Sequence, residues 1–183
     1  MLPPPNDGAL SRLGVSETLS PKLKIKCILV QIDFSIHSLK ALQYALAFAE
    51  QFGAAICLMH VVEPASFVHD LRNVPLALTN AKVARQAKTR LISLARTKAQ
   101  PLIPVKPRVR IGKPFHEIAT AAKALDVDLI IIATHGFTGL KHTLLGSTAE
   151  RVVRYAPCPV LIVRGRGHDF VLQKKISNGE KHL

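Results

Sequence analysis

An α/β protein, with an open, mostly parallel five-stranded sheet and helices on both faces, is what this sequence predicts. Five short apolar runs alternate strictly with four amphipathic stretches, and Gly, Pro or Asp stands at most of the joints. Apart from the third, which alternates with basic residues, the apolar runs are continuous, as expected of strands buried on both faces.

Taken in order, Lys26 to Ile32 reads as the first strand and Asp33-Phe34-Ser35 ends it. Leu39, Leu42, Ala45, Leu46, Phe48 and Ala49 recur at three- and four-residue spacing, which predicts a helix with Ser35 or Ser38 as its N-cap and Gly53 just past its end. Ala54 to Val62 is the second strand. An irregular stretch from Glu63-Pro64 to about Leu78 precedes a helix with Val83, Ala87, Leu91 and Leu94 on one face and basic residues on the others. Val105, Val109 and Ile111 alternate with basic residues in the next strand, which suits a sheet edge, and Gly112-Lys113-Pro114 breaks it. Ile118, Ala121, Ala122 and Leu125 predict a third helix. Asp128 to Ala133 is the most continuous apolar run and is expected inside the sheet. A glycine-bearing loop, Thr134 to Leu145, leads to a last helix opening at Gly146-Ser147-Thr148, and Pro159 to Val163 is the final strand.

The expected organisation is a leader over 1–22, one domain over 23–165, and a basic tail over 166–183. The 183 residues are 48% hydrophobic and 20% charged, enough apolar material for a packed core, which excludes intrinsic disorder and a rod. No run approaches the length of a membrane span, and Met1 to Ser20 lacks a charged start followed by an apolar block, so a cytoplasmic protein is expected. Cys27, Cys57 and Cys158 lack metal-ligand spacing and read as reduced, mostly buried thiols. The net charge of +13 favours acidic or phosphorylated partners.

In a parallel α/β sheet ligands bind beyond the carboxyl ends of the strands, which selects Ile32 to Ser35, His60 to Pro64, Ile111 to Pro114 and Ala133 to Ser147. The last loop carries most chemistry. Gly136 and Gly139 permit close approach of a backbone to an anion, and Gly146-Ser147-Thr148 opens a helix whose N–H groups and dipole favour phosphate. Ordinary turns and an ordinary N-cap explain the same residues equally well. Neither a Walker P-loop nor a dinucleotide fingerprint is present, because the G-x-x-x-x-G-K-[ST] and G-x-G-x-x-G spacings are absent.

This loop resembles that of the universal stress proteins, whose nucleotide motif is G-x-x-G, nine residues, then G-[ST]. Gly136, the nine residues Phe137 to Leu145, and Gly146-Ser147 fit it, with Ala133 where the first glycine would stand. Asp33-Phe34-Ser35, His60-Val61, Gly112 and the closing Ala156 to Val163 extend the resemblance over about Lys24 to Arg164. It implies a Rossmann-like fold that binds an adenine nucleotide, ATP foremost and with Mg2+, in a stress-response sensor or regulator with at most slow hydrolysis. The contacts it implies fall at Ile32, Asp33, Val61, Gly112, Ala133, His135, Gly136, Gly146, Ser147 and Thr148. Asp33 would accept from the adenine amine, the Val61 backbone would meet the ring, and Gly136, Gly146 and Ser147 would hold ribose and phosphates. A methyl at position 133 would occupy space near the ribose and lower affinity without abolishing it. The resemblance also implies a homodimer through strand 159–164.

Taken alone, Asp33 reads as a cap on the following helix. His135 and His142 read as solvated loop residues, since no carboxylate or cysteine lies at ligand spacing. No nucleophile, base and orienting acid can be placed together, so an ATP-dependent ligase or hydrolase is disfavoured. The basic helix Lys82 to Lys98 is read as a solvated face: with 5% aromatic residues and no stacking pattern, nucleic acid is not the expected partner. The competing hypothesis is a nucleotide-free dimeric scaffold that docks an acidic partner through its basic surface.

Overall fold

The protein is described here from a computed structural model over residues 22–64, 76–98, 102–134 and 146–165. The expected leader up to Pro21 and the tail from Arg166 lie outside these residues. The chain runs β1 (Cys27–Gln31), α1 (Ile36–Phe52), β2 (Ala55–Val62), α2 (Leu76–Lys98), β3 (Val105–Ile111), α3 (Pro114–Ala124), β4 (Leu129–Ala133), α4 (Ser147–Tyr155) and β5 (Val160–Val163). The alternation predicted from the sequence is therefore the one observed. The sheet order is β3-β2-β1-β4-β5, and every neighbouring pair is parallel.

Parallel strands joined by helices need cover on both faces, and the apolar residues divide accordingly. Ile28, Val30, Ile32, Leu129, Ile131 and Ala133 pack with α1 and α2 on one face. Leu29, Cys57, Met59, Val61, Ile130 and Ile132 pack with α3 and α4 on the other. All five residues of β4 are buried, as its unbroken apolar run requires. β3 lies at one edge of the sheet; the bonds of Pro104 O and Gly112 N to β2 turn the nitrogen of Pro107 to the open side, so the proline withdraws no N–H from the ladder.

Local signals fix the helix ends. Ser35 is the N-cap of α1 and accepts from Ser38 N, while Gly53 closes the helix at φ 66°, a left-handed conformation that costs glycine little. Pro114 opens α3 at the position where a missing N–H is tolerated.

The amino ends of β1 and β4 are tied by one side chain. Asp128 Oδ2 accepts from Lys26 N at 2.7 Å and Cys27 N at 2.9 Å, and Asp128 N donates to Cys27 O at 2.9 Å. These charge-assisted bonds set the register that pairs Ile28 with Leu129. Removing the carboxylate in Asp128→Ala should cost about 1–3 kcal/mol of unfolding free energy, and Asp128→Asn should recover part of the loss. Urea unfolding checks this; a loss below about 0.5 kcal/mol would contradict the role given to Asp128.

Candidate functional site

From β1 the chain passes through α1 to β2 on one side, whereas β4 lies on the other side of β1 and hands on through α4 to β5. Connections diverge between the carboxyl ends of β1 and β4, which opens a crevice at that end of the sheet.

At the exit of β1 a short hydrogen-bonded turn starts α1. Asp33 Oδ1 accepts from Ser35 N at 3.0 Å and from Ser35 Oγ at 2.6 Å. Ser35 Oγ in turn accepts from Ser38 N at 3.1 Å, and Ser38 Oγ donates to Ser35 O. Asp33 thus acts one step behind the cap: it orients Ser35, and Ser35 caps the helix. Between them Phe34 has φ 66°, a conformation that costs a non-glycine residue about 1–2 kcal/mol. Its ring is held from two sides, by the His60 ring at 4.9 Å and by the Arg90 guanidinium 4.0 Å from the ring centroid.

The ladder between β1 and β2 ends here. Its last paired residues are Gln31 and Met59, followed by the bond from Ile32 N to Met59 O at 2.7 Å. Ile32 O accepts from His60 Nδ1 at 2.6 Å, so the imidazole takes a carbonyl that the next ladder bond would have used. In β2 the N–H and C=O groups turn alternately to its two neighbours: Ala55 and Met59 bond toward β1, whereas Ile56 and Val62 bond toward β3. By that alternation the backbone edge of Val61 turns toward β1 beyond the last pair of that ladder, next to Asp33. A cleft of about 570 Å³ adjoins this point, lined by Asp33, Phe34, His60 and the α2 residues Val83, Gln86, Ala87, Thr89 and Arg90.

On the far side of the crevice Gly146 N donates to Thr134 O at 2.7 Å, and Thr134 N donates to Val163 O at 3.0 Å. The first bond brings the start of α4 beside the end of β4, although eleven residues separate them. Gly146 is the N-cap and offers no side chain, so the N–H groups of Ser147, Thr148 and Ala149 have no partner within the helix. Ser147 is exposed and Thr148 half-buried. This is an anion-accepting helix start with two hydroxyls on its first turn.

Ala133 departs from the expectation drawn from the sequence. It pairs with Val163, is 7% exposed, and packs in the cluster beneath α1 with Ile131 and Val163. Strand alternation turns its methyl into that core, so it fills packing space rather than the mouth of the crevice. Gly112 stands on the β3 side, with its N–H on Val62 O at 3.0 Å. A Cβ there would come within 2.8 Å of Glu117 Oε1, and φ is 155°, so glycine lets Glu117 fold over this turn. Ile32, Asp33, Val61, Ala133, Gly146, Ser147 and Thr148 therefore share the carboxyl end of the sheet; His135 and Gly136 lie outside the described residues.

The thiols are not poised for chemistry. Burial pushes Cys57 up to about 11 against the opposing pull of Arg108, and burial followed by the Asp128 carboxylate raises Cys27 and Cys158. All three are free, but only Cys57 is fully buried, fewer than the sequence suggested. Among the described residues no three metal-ligating side chains come together, and no helix is long and apolar enough to cross a membrane. Sequence reasoning missed Arg90 at this site, since nothing local connects it to Phe34.

Residues 24–164 match the profile of the Universal stress protein family. The chain is 32% identical over 139 residues to Universal stress protein MJ0531 of Methanocaldococcus jannaschii, covering 76% of this chain and 82% of that one. The solved structure of MJ0577 from the same organism is 29% identical and superposes with a TM-score of 0.69, over 80% of this chain and all of the other. A more distant structure, a universal stress protein in complex with cAMP, shares the fold at 22% identity with a TM-score of 0.53, over 78% of this chain and 98% of the other.

The Asp33–Ser35 turn carries its own consequence. Ser35→Ala should lower stability by about 1 kcal/mol through loss of the N-cap, whereas Ser35→Asp should retain most of it. Thermal unfolding of the two variants checks this, and equal stability of Ser35→Ala and wild type would refute the capping role.

Proposed function

The chain belongs to the universal stress protein family, and from that premise we propose that it binds an adenine nucleotide, ATP foremost, as a cytoplasmic stress-response sensor or regulator. The observation that carries this reading is that a carboxylate, an open backbone edge and a helix N-terminus all stand at the carboxyl end of the sheet, on or directly after the neighbouring strands β1, β2 and β4. Adenine presents an N–H donor beside ring acceptors; a carboxylate and a backbone N–H answer both. Phosphates need N–H donors and positive potential, and the start of α4 supplies them.

In this reading Asp33 accepts from the exocyclic amine and Val61 meets the ring through its backbone. Ser147, Thr148 and the backbone from Gly146 receive the phosphates, and His135 and Gly136 continue that cradle. Ile32 and Gly112 shape the floor around the base. Mg2+ would accompany the triphosphate and offset part of its charge. Binding is the function, with hydrolysis at most slow; the bound state is the signal.

Isothermal titration of nucleotide-stripped protein with ATP and Mg2+, run beside GTP, tests this. Micromolar binding selective for ATP is expected. Asp33→Asn keeps an oxygen for Ser35 but places an N–H2 group at the other position, so ATP should weaken by about tenfold and the preference over GTP should shrink. Absence of heat from wild type, or equal affinity for ATP and GTP, would overturn the proposal.

We also propose a homodimer through strand 159–164. β5 ends the sheet, and Val160, Leu161 and Ile162 are only half-buried. Pro159 O and Val163 O bond to β4, so the backbone of Ile162 faces outward. Light scattering should give a dimer for wild type and a monomer for Ile162→Pro, which removes the outward N–H and spares the inner ladder. A monomeric wild type would end this assignment.

A further inference from the structure

Between Lys82 and Lys113 the chain carries ten Lys and Arg and no Asp or Glu. In the sequence this falls on a helix and a separate strand. In the fold the two are packed together at one side of the molecule, α2 over the edge strand β3. Much of the charge excess is thus gathered on one flank.

The geometry of that flank is regular. Lys82, Arg85 and Arg96 lie on the outward face of α2, with Lys88 beside them, and all four are exposed. Val105 and Val109 pack toward α2, so Lys106, Arg108 and Arg110 stand on the opposite face of β3, spaced about 6.6 Å apart along the strand. The two rows bracket the open edge of the sheet. Arg110 lies 3.9 Å from Glu117; among the described residues none of Lys82, Arg85, Lys88, Arg96 or Lys106 has a carboxylate within ion-pair distance.

Edge protection explains part of this, because a cation and a proline on β3 discourage edge-to-edge pairing. It does not explain α2, which has no edge to protect and still lacks any carboxylate over its whole length. We propose that the α2–β3 flank binds the phosphate backbone of duplex nucleic acid without reading its sequence. The absence of stacking aromatics argues against base contacts in single strands; phosphate contacts do not need them. Among the described side chains of α2, the apolar groups near the outward row are the half-buried Ile92 and the small Ala81, too little to anchor the flank in a bilayer. A protein partner would require an apolar centre, and this flank offers only scattered exposed apolar side chains, Leu102 and Ile111 at its ends and Val83 on α2. Arg90 of the same helix lines the cleft beside Asp33, but Lys82, Arg85, Lys88, Arg96, Lys106 and Arg108 are not among the residues given to the proposed nucleotide site, and the start of α4 lies across the sheet.

Fluorescence anisotropy of the full-length, nucleotide-free chain with a mixed-sequence duplex of about 30 base pairs tests the proposal. With about six phosphates contacted, affinity should fall about a thousandfold between about 50 and 200 mM salt. The triple variant Arg85→Glu, Lys88→Glu, Arg96→Glu should weaken binding at least about a hundredfold and flatten the salt slope by about three. The double variant Lys123→Glu, Arg154→Glu, on α3 and α4, should leave affinity within about threefold, and melting curves should show both variants folded. Wild-type affinity and slope in the triple variant would overturn the proposal by assigning the binding to charges elsewhere in the chain. Tighter association with phosphatidylserine-rich vesicles than with the duplex would overturn it in favour of a membrane surface.

Discussion

The carboxylate of Asp128 fixes where β1 lies against β4, and the remaining architecture depends on that placement. One oxygen receives two backbone N–H groups from the start of β1, and the Asp128 N–H returns a bond to Cys27 O. A slip of one residue would send Ile28, Val30 and Ile32 to the face covered by α3 and α4 and empty the cluster beneath α1. Because β1 and β4 are neighbours whose onward connections diverge, their carboxyl ends frame the crevice. A bond at the amino end of the sheet thereby determines the geometry at the opposite end.

The crevice gathers local costs that neighbouring contacts offset. Phe34 adopts a left-handed conformation that turns the chain from β1 into α1, and His60 and Arg90 hold its ring there. His60 also takes the carbonyl of Ile32, which ends the β1–β2 ladder one step early and leaves the Val61 edge turned toward the crevice. Asp33 serves the start of α1 through Ser35. A ligand that engaged the same carboxylate would act directly on the first turn of α1, a short physical route from binding to a change in surface.

Charge is distributed on a different plan from the core. The apolar clusters are balanced across the two faces of the sheet, but the cations gather along α2 and β3. Helix α4 at the other side pairs Glu150 with Arg154 at 3.3 Å, as an ordinary solvated helix does. The contrast between these two helices is one of composition, and it gives the molecule two sides with different electrostatic character.

Order and type of elements were legible in the sequence because each rests on local signals: continuous apolar runs, periodic helix faces, Ser35 before α1, Gly53 after it and Pro114 at the start of α3. Helix α2 begins earlier than its periodicity indicated, since its first residues carry no clear amphipathic pattern. Position at strand and helix ends selects the stretches that hold Asp33, Val61, Gly146 and Ser147, and the resemblance to the universal stress proteins picks out those residues within them. Tertiary structure alone decided the rest. The methyl of Ala133 packs into the core because strand alternation is counted from the β1–β4 register, which no local signal contains. Arg90 meets Phe34, and Asp128 meets Lys26, across long stretches of chain. Sequence determines what depends on neighbours within a few residues; which distant side chains meet depends on strand order, and that emerges only when the sheet closes its two faces.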